Sequence, residues 1–244
     1  MEKPKMILFD YGHTLVYEPG FDHPAGFRAV LTRCLRNPRN LSAETLAETY
    51  AKALDRLVDA SRKAGCDFMD MAVKRRLYEE ASLEFDGDLL ELETVFWDDA
   101  GPGAPMPGAE ALLAELERLE IRSAVVSNMN FREVSVRSRI ERLLPENRFE
   151  FVLCSCEYAT RKPRREFFDL ALRKAGLSAG EVWYCGDNPR CDVIGAYEAG
   201  LTPVWYENDL GCPYRQEEDR VTVSIPCLHI REWDELQDIL GGLN

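Results

Sequence analysis

The 244-residue sequence predicts an α/β fold, a mainly parallel sheet flanked by helices and interrupted after its first strand by an all-helical lobe. Three observations predict it. From Ser123 onward, short apolar runs alternate with helical patterns, which is the signature of βαβ crossovers. The stretch from about Pro24 to Asp99 shows helical spacing and no convincing strand. The segment Gly101–Gly108 is dense in glycine and proline and reads as the hinge that returns the chain to the core.

The first strand is the apolar run Met6–Phe9, which ends on Asp10 and is broken by Gly12, His13 and Thr14. In the helical stretch, Phe27, Val30, Leu31 and Leu35 recur at helical spacing. Ser42 is placed to cap a long helix running through Ala60, and Phe68–Leu83 and Leu89–Trp97 read as two more helices. Ala109–Leu119 resumes the core. Further strands are expected at Ser123–Val126, Phe151–Cys154, Val182–Cys185, Pro203–Tyr206 and Val221–Ile225. Helices are expected at Arg132–Leu144, at Arg165–Ala175 and through Gly195–Ala199, the last stopped by Gly200. The organisation this implies is a core of residues 1–18 and 104–244 with residues 19–103 as the inserted lobe.

Composition narrows the function. Hydrophobic content of 45% and charged content of 30% describe an ordinary globular protein. A formal charge of −13 argues against nucleic acid and anionic membrane as partners, because phosphate backbones attract the opposite sign. A small phosphate ester can still bind where a local cation or metal receives it. No run approaches the roughly 18 to 20 apolar residues of a spanning helix, and the N-terminus lacks a signal-peptide layout. A cytoplasmic protein is expected, either a monomer or a homodimer. The eight cysteines lack the repeated C-x₂₋₄-C spacing of structural zinc, so reduced structural thiols are expected.

Four polar positions follow strand ends in order. Asp10 follows the first run, and Ser127-Asn128 follows Ser123–Val126. Lys162 comes shortly after Phe151–Cys154. Gly186-Asp187, with Asp192 five residues later, follows Val182–Cys185. The C-termini of parallel strands share one edge of the sheet, so these residues can converge there. Asp10 can act as a nucleophile and hold a covalent intermediate. Ser127 and the amides after it can donate to phosphoryl oxygens, and Lys162 supplies a compact positive charge. Asp187 and Asp10 offer hard oxygen ligands suited to Mg²⁺.

Jointly these segments identify a resemblance. Phe9-Asp10-Tyr11-Gly12-His13-Thr14-Leu15, Val125-Val126-Ser127-Asn128, Arg161-Lys162-Pro163 and Cys185-Gly186-Asp187-Asn188 continuing to Asp192 resemble the motifs of the haloacid dehalogenase superfamily, in its helical-cap, phosphatase-like branch. The resemblance spans nearly the whole chain. It implies a Rossmann-like core with a helical cap inserted between the first two motifs. It also implies Asp10 as nucleophile through an aspartyl intermediate, with Ser127 and Lys162 as its supports. Ser127, Asn128, Lys162 and His13 are the residues expected at the substrate. Mg²⁺ is expected on Asp10, Asp187, Asp192 and the backbone carbonyl of Gly12, and the substrate is expected to be a small phosphorylated metabolite.

One departure matters. Phosphatases of this superfamily usually carry a second aspartate two residues after the nucleophile, where this chain has Gly12. The carbonyl survives the change and the proton donor does not. A positioned acid or base contributes roughly 10²–10⁴ in rate. The alternatives are a phosphonatase- or dehalogenase-like hydrolase, the former needing a cap lysine among Lys52, Lys63 and Lys74, or an impaired protein that only binds a phosphorylated ligand.

Overall fold

The structure is a computed structural model that describes residues 2–213 and 215–243. Six parallel strands form the central sheet: β1 (Met6–Phe9), β6 (Arg122–Ser127), β7 (Phe149–Cys154), β8 (Val182–Gly186), β9 (Thr202–Tyr206) and β10 (Leu228–Ile230). Their order is β10-β9-β8-β1-β6-β7, so β1 lies inside and the direction of winding reverses beside it. Both faces of β1 are buried. Ile7 and Phe9 meet α5 (Ala109–Arg118), α6 (Glu133–Leu143) and α9 (Trp233–Gly241), whereas Met6 and Leu8 meet α7 (Arg165–Ala175) and α8 (Gly195–Ala199). A strand covered on both faces has no polar side, which is why this run is continuously apolar.

The remaining short strands are β2 (Val16–Tyr17), β3 (Cys34–Arg36), β4 (Glu84–Phe85) and β5 (Ala104–Pro105). Four helices lie between β2 and β5: α1 (His23–Leu31), α2 (Ala43–Ala64), α3 (Asp70–Glu80) and α4 (Leu89–Ala100). They close on a core of their own, built from Phe27, Val30, Leu46, Tyr50, Tyr78 and Phe96. Ser42 caps α2, its Oγ accepting from the Thr45 amide at 3.2 Å. The helix runs to Ala64, beyond the expected Ala60, and stops at Gly65 in the left-handed region, φ 70°. The two connections between these helices and the sheet run side by side, because β2 and β5 pair antiparallel as a ribbon. The Gly/Pro-rich return segment is therefore partly ordered as a strand.

Three expectations are corrected. Val221–Ile225 is not a strand. The edge position beside β9 is taken by Leu228–Ile230, which feeds directly into α9, where Trp233, Leu236 and Leu240 are buried. The alternating pattern at 221–225 had mimicked a strand although Val221 is exposed. Leu35 is not on a helical face; α1 ends at Leu31, and Leu35 lies in β3, 73% exposed. The helical stretch does contain strand, since β3 and β4 pair antiparallel, but two to three residues are too few to display a period. Sequence reasoning also missed α9. Among the described residues no helix is long and apolar enough to cross a membrane, and the eight cysteines are free thiols.

Candidate active site

Register assembles the site. Phe9 of β1 lies opposite Val125 of β6 and Cys185 of β8. The residues two beyond those partners, Ser127 and Asp187, therefore flank Asp10 at the same strand edge. The Asp10 amide continues the ladder by donating to the Cys185 carbonyl at 2.9 Å, which fixes its backbone as its side chain leaves the sheet. A cavity of about 330 Å³ opens there, with Asp10, Ser127, Lys162 and Asp187 in its wall.

Lys162 is the centre of the cluster. Its Nζ donates to Asp10 at 2.8 Å, to Asp192 at 2.6 Å and to the Tyr184 hydroxyl at 2.5 Å. An ammonium has three N–H groups, so its capacity is filled. Burial by itself would discharge this lysine, but the charges of Asp10 and Asp192 outweigh it and hold its pKa above the ordinary lysine range. The Tyr184 hydroxyl in turn donates a hydrogen bond to the Val126 carbonyl at 2.7 Å. Tyr184 was missed by sequence reasoning; the available signal was a tyrosine in an otherwise apolar buried strand, since a buried hydroxyl needs a partner.

Asn128 and Asp192 line the cavity and also hold Lys162. The Asn128 side chain brackets the Lys162 backbone, donating to its carbonyl at 2.9 Å and accepting from its amide at 2.8 Å. Both ends of the amide are engaged, so this side chain positions Lys162 while it lines the cavity. Asp192 accepts from Lys162 on one oxygen and from the Asn188 amide, at 2.9 Å, on the other. It packs so closely against β8 that a Cβ on Gly186 would lie 2.4 Å from its carboxyl carbon, which is why that position is glycine.

The donor set fits a divalent cation. Carboxylate oxygens from Asp10, Asp187 and Asp192 lie within 4.8 Å of one another. Burial pushes the Asp187 carboxyl well above the usual carboxylate range, and Asp192 and Asp10 add to the rise against the opposing pull of Arg215. Such a group needs a cation to stay charged, and here the Arg215 guanidinium is bonded to it. At Gly12, the local bridge to Val16 uses the Tyr11 carbonyl and the His13 amide, which leaves the Gly12 carbonyl outside that bridge. His13 is buried in the cavity wall at φ 55°, its ring edge-on to Tyr17 and its carbonyl accepting from Asn208 at 2.9 Å. Burial first, then Arg215, lowers the pKa of His13, against the opposing pull of Asp10.

Glu18, just after β2, is a further carboxyl in the cavity wall and was also missed. Burial raises its pKa to about 7 against the opposing pull of Arg139, 3.1 Å away, and of the Trp97 indole N–H, also at 3.1 Å. The helical lobe closes over the same edge through Asp67. This residue accepts from Ser155 Oγ at 2.5 Å and pairs with Arg161 at 3.0 Å. Arg164 donates to the Ala64 carbonyl at 2.8 Å across Gly65, where a Cβ would stand 2.0 Å from its Nε.

Comparison with known proteins agrees with this geometry. Residues 101–206 match the profile of the haloacid dehalogenase-like hydrolases. A ribulose-1,5-bisphosphate 5-phosphatase of Halopiger xanaduensis is 26% identical over 239 residues, spanning 97% of this chain and 96% of that protein. A phosphoserine phosphatase of Thermus thermophilus is 31% identical over 140 residues, 56% of this chain and 55% of that one. The crystal structure of a 2-haloacid dehalogenase from Pseudomonas syringae superposes with a TM-score of 0.61 at 24% identity, covering 99% of both chains. With its motifs gathered at one edge of a parallel sheet, the chain is similar to the haloacid dehalogenase-like hydrolases in residues 101–206 and shares their fold.

Proposed function

We propose that this protein is a Mg²⁺-dependent phosphatase-like hydrolase acting on small phosphate monoesters through an aspartyl-phosphate on Asp10. The observation that carries the reading is the filled hydrogen bonding of Lys162, one of whose three bonds fixes the Asp10 carboxylate in the wall of the cavity. Asp10 attacks phosphorus and the bond to the ester oxygen breaks; water then cleaves the aspartyl-phosphate and releases inorganic phosphate. Ser127, at the end of β6, donates to a phosphoryl oxygen. Residues 19–103 act as the cap over a core of residues 1–18 and 104–244. Asp10, Asp187 and the Gly12 carbonyl would hold Mg²⁺, which when bound offsets repulsion between these carboxylates and the phosphate.

The leaving oxygen needs a proton that residue 12 does not supply. Glu18 is the carboxyl assigned to that role, because it lines the cavity and its pKa near 7 leaves it partly protonated at neutral pH. Of the lobe lysines that the phosphonatase alternative needs, none lines the Asp10 cavity itself, and Lys63 lines the cavity that adjoins it. Among the described residues Lys162 is the lysine that lines the Asp10 cavity, and Lys74 is buried against Asp70. The experiment is turnover of an aryl phosphate with and without Mg²⁺, in wild type and in Asp10→Asn. Activity that needs both the metal and Asp10 supports the reading; normal turnover in the variant, or in excess chelator, overturns it.

A further inference from the structure

A second cavity of about 260 Å³ adjoins the first, sharing Arg62, Arg161, Lys162, Cys191 and Asp219 in its wall. In a chain of formal charge −13, this is an unusual place. Besides Lys162, five cationic side chains line it: Arg62, Lys63, Arg161, Arg164 and Arg190. The acidic residues of the same wall are Glu218 and Asp219. Two of the five cations are already engaged, Arg161 with Asp67 and Arg164 with the Ala64 carbonyl. Among the described residues no carboxylate pairs with Arg62, Lys63 or Arg190.

Concentrating unpaired like charges in a concave wall is unfavourable until an anion arrives, and such a wall focuses field on that anion. The placement of Arg62 is the telling part. It stands in the last turn of α2, half-buried, and reaches both cavities from the helical lobe. The contacts that bring it there are those of Asp67 with Ser155 and Arg161, and of Arg164 across Gly65. A guanidinium presented in this way suits bidentate binding of a phosphate or carboxylate.

We infer that the substrate carries a second anionic group, a phosphate or a carboxylate, seated by Arg62 with Lys63 and Arg190 while the scissile phosphate lies at Asp10. The inference rests on the phosphatase reading for the identity of the first group and on this second cavity for the second. It makes the lobe a selector of substrates with a second anionic group, because Arg62 is the cation that the lobe extends into the reaction cavity.

The test is calorimetric binding at fixed ionic strength, using the full chain carrying Asp10→Asn so that ligands are not consumed. The probes are propyl phosphate, propane-1,3-diol bisphosphate and 3-(phosphonooxy)propanoate. One or both probes with a second anionic group bind about tenfold or more tighter than propyl phosphate, as expected for a charge-assisted pair. The bisphosphate and the phospho-carboxylate arms show which anion the wall prefers. Adding Arg62→Gln brings the ratio toward one, and Arg62→Lys restores part of it. Equal affinity for all three probes, or a preference untouched by Arg62→Gln and by Arg190→Gln, overturns the inference. Turnover by the wild type separates the two readings. Preference for the second anionic group without hydrolysis of any ester sinks the phosphatase reading and leaves this one standing. Equal kcat/KM for propyl phosphate and the bisphosphate does the reverse.

Discussion

Asp192 and Lys162 form one buried unit: the carboxylate oxygen lies 2.6 Å from Nζ, and each side chain is 1% exposed. Removing one partner of such a pair leaves an uncompensated charge, and two carboxylates face Lys162. Lys162→Met is expected to cost about 3–5 kcal/mol in urea unfolding and to abolish turnover. Lys162→Met combined with Asp192→Leu recovers part of the stability and none of the activity. Stability within 1 kcal/mol of wild type in the single variant contradicts the account.

Position 12 has room for the side chain it lacks. A Cβ built on Gly12 meets nothing within 4 Å. Gly12→Asp is expected to fold normally and, in the Glu18→Gln background, to raise kcat for alkyl phosphates by roughly 10²-fold, with a smaller gain on aryl phosphates, whose leaving groups need no proton. A steady-state comparison of the two ester classes checks it. Equal change in both would show that proton delivery is not what limits the enzyme.

Glu18 gives a dependence on pH with a defined sign. As a proton donor it must be protonated, so kcat on alkyl esters falls as pH rises through about 7, and Glu18→Gln removes that limb. In stability the same group has a folded pKa of about 7 against an ordinary value of 4.5. Its contribution is fully present below pH 4.5 and is lost as pH rises through 7. The stability of wild type relative to Glu18→Gln should decline across that window in thermal melts, and a flat difference contradicts the assignment.

Arg215 competes with any cation for Asp187, to which its guanidinium is bonded. Arg215→Gln is expected to tighten Mg²⁺ binding by about tenfold, since a like charge beside the site is removed. Titration calorimetry with MgCl₂ reads this directly, and weaker binding in the variant would exclude the competition.

Lys74 is a structural cation. It pairs with Asp70, lies over the Phe96 ring at 3.6 Å from its centroid, and is fully buried. Lys74→Met is expected to cost about 3–5 kcal/mol, and the double variant with Asp70→Leu considerably less. Borohydride with phosphonoacetaldehyde should leave no adduct on Lys74, and a trapped adduct would revive the phosphonatase alternative.

Much of this protein could be read without coordinates. Met6–Phe9 and Arg165–Ala175 lie where the sequence placed them, because burial on both faces and a 3.6-residue period are written in residue type alone. The convergence of Asp10, Ser127, Lys162 and Asp187 was legible for a related reason: parallel strands bring all their C-termini to one edge. Very short strands such as β3 and β4 were not legible, since two or three residues carry no period. Val221–Ile225 carried a period, but the edge position it needed was held by a segment with a better anchored helix behind it.

What the sequence by itself determined is the α/β fold, the order of its motifs and which polar residues meet at the strand edge. Tertiary structure alone decided how each polar group is used. Asn128 and Asp192 became the holders of Lys162, Glu18 and Arg215 entered the cavity from distant segments, and Arg62 reached it from a helix end. The reason is physical. Residue type states what a side chain can bond, but which bonds are made depends on which partners packing leaves within about 3 Å and out of water.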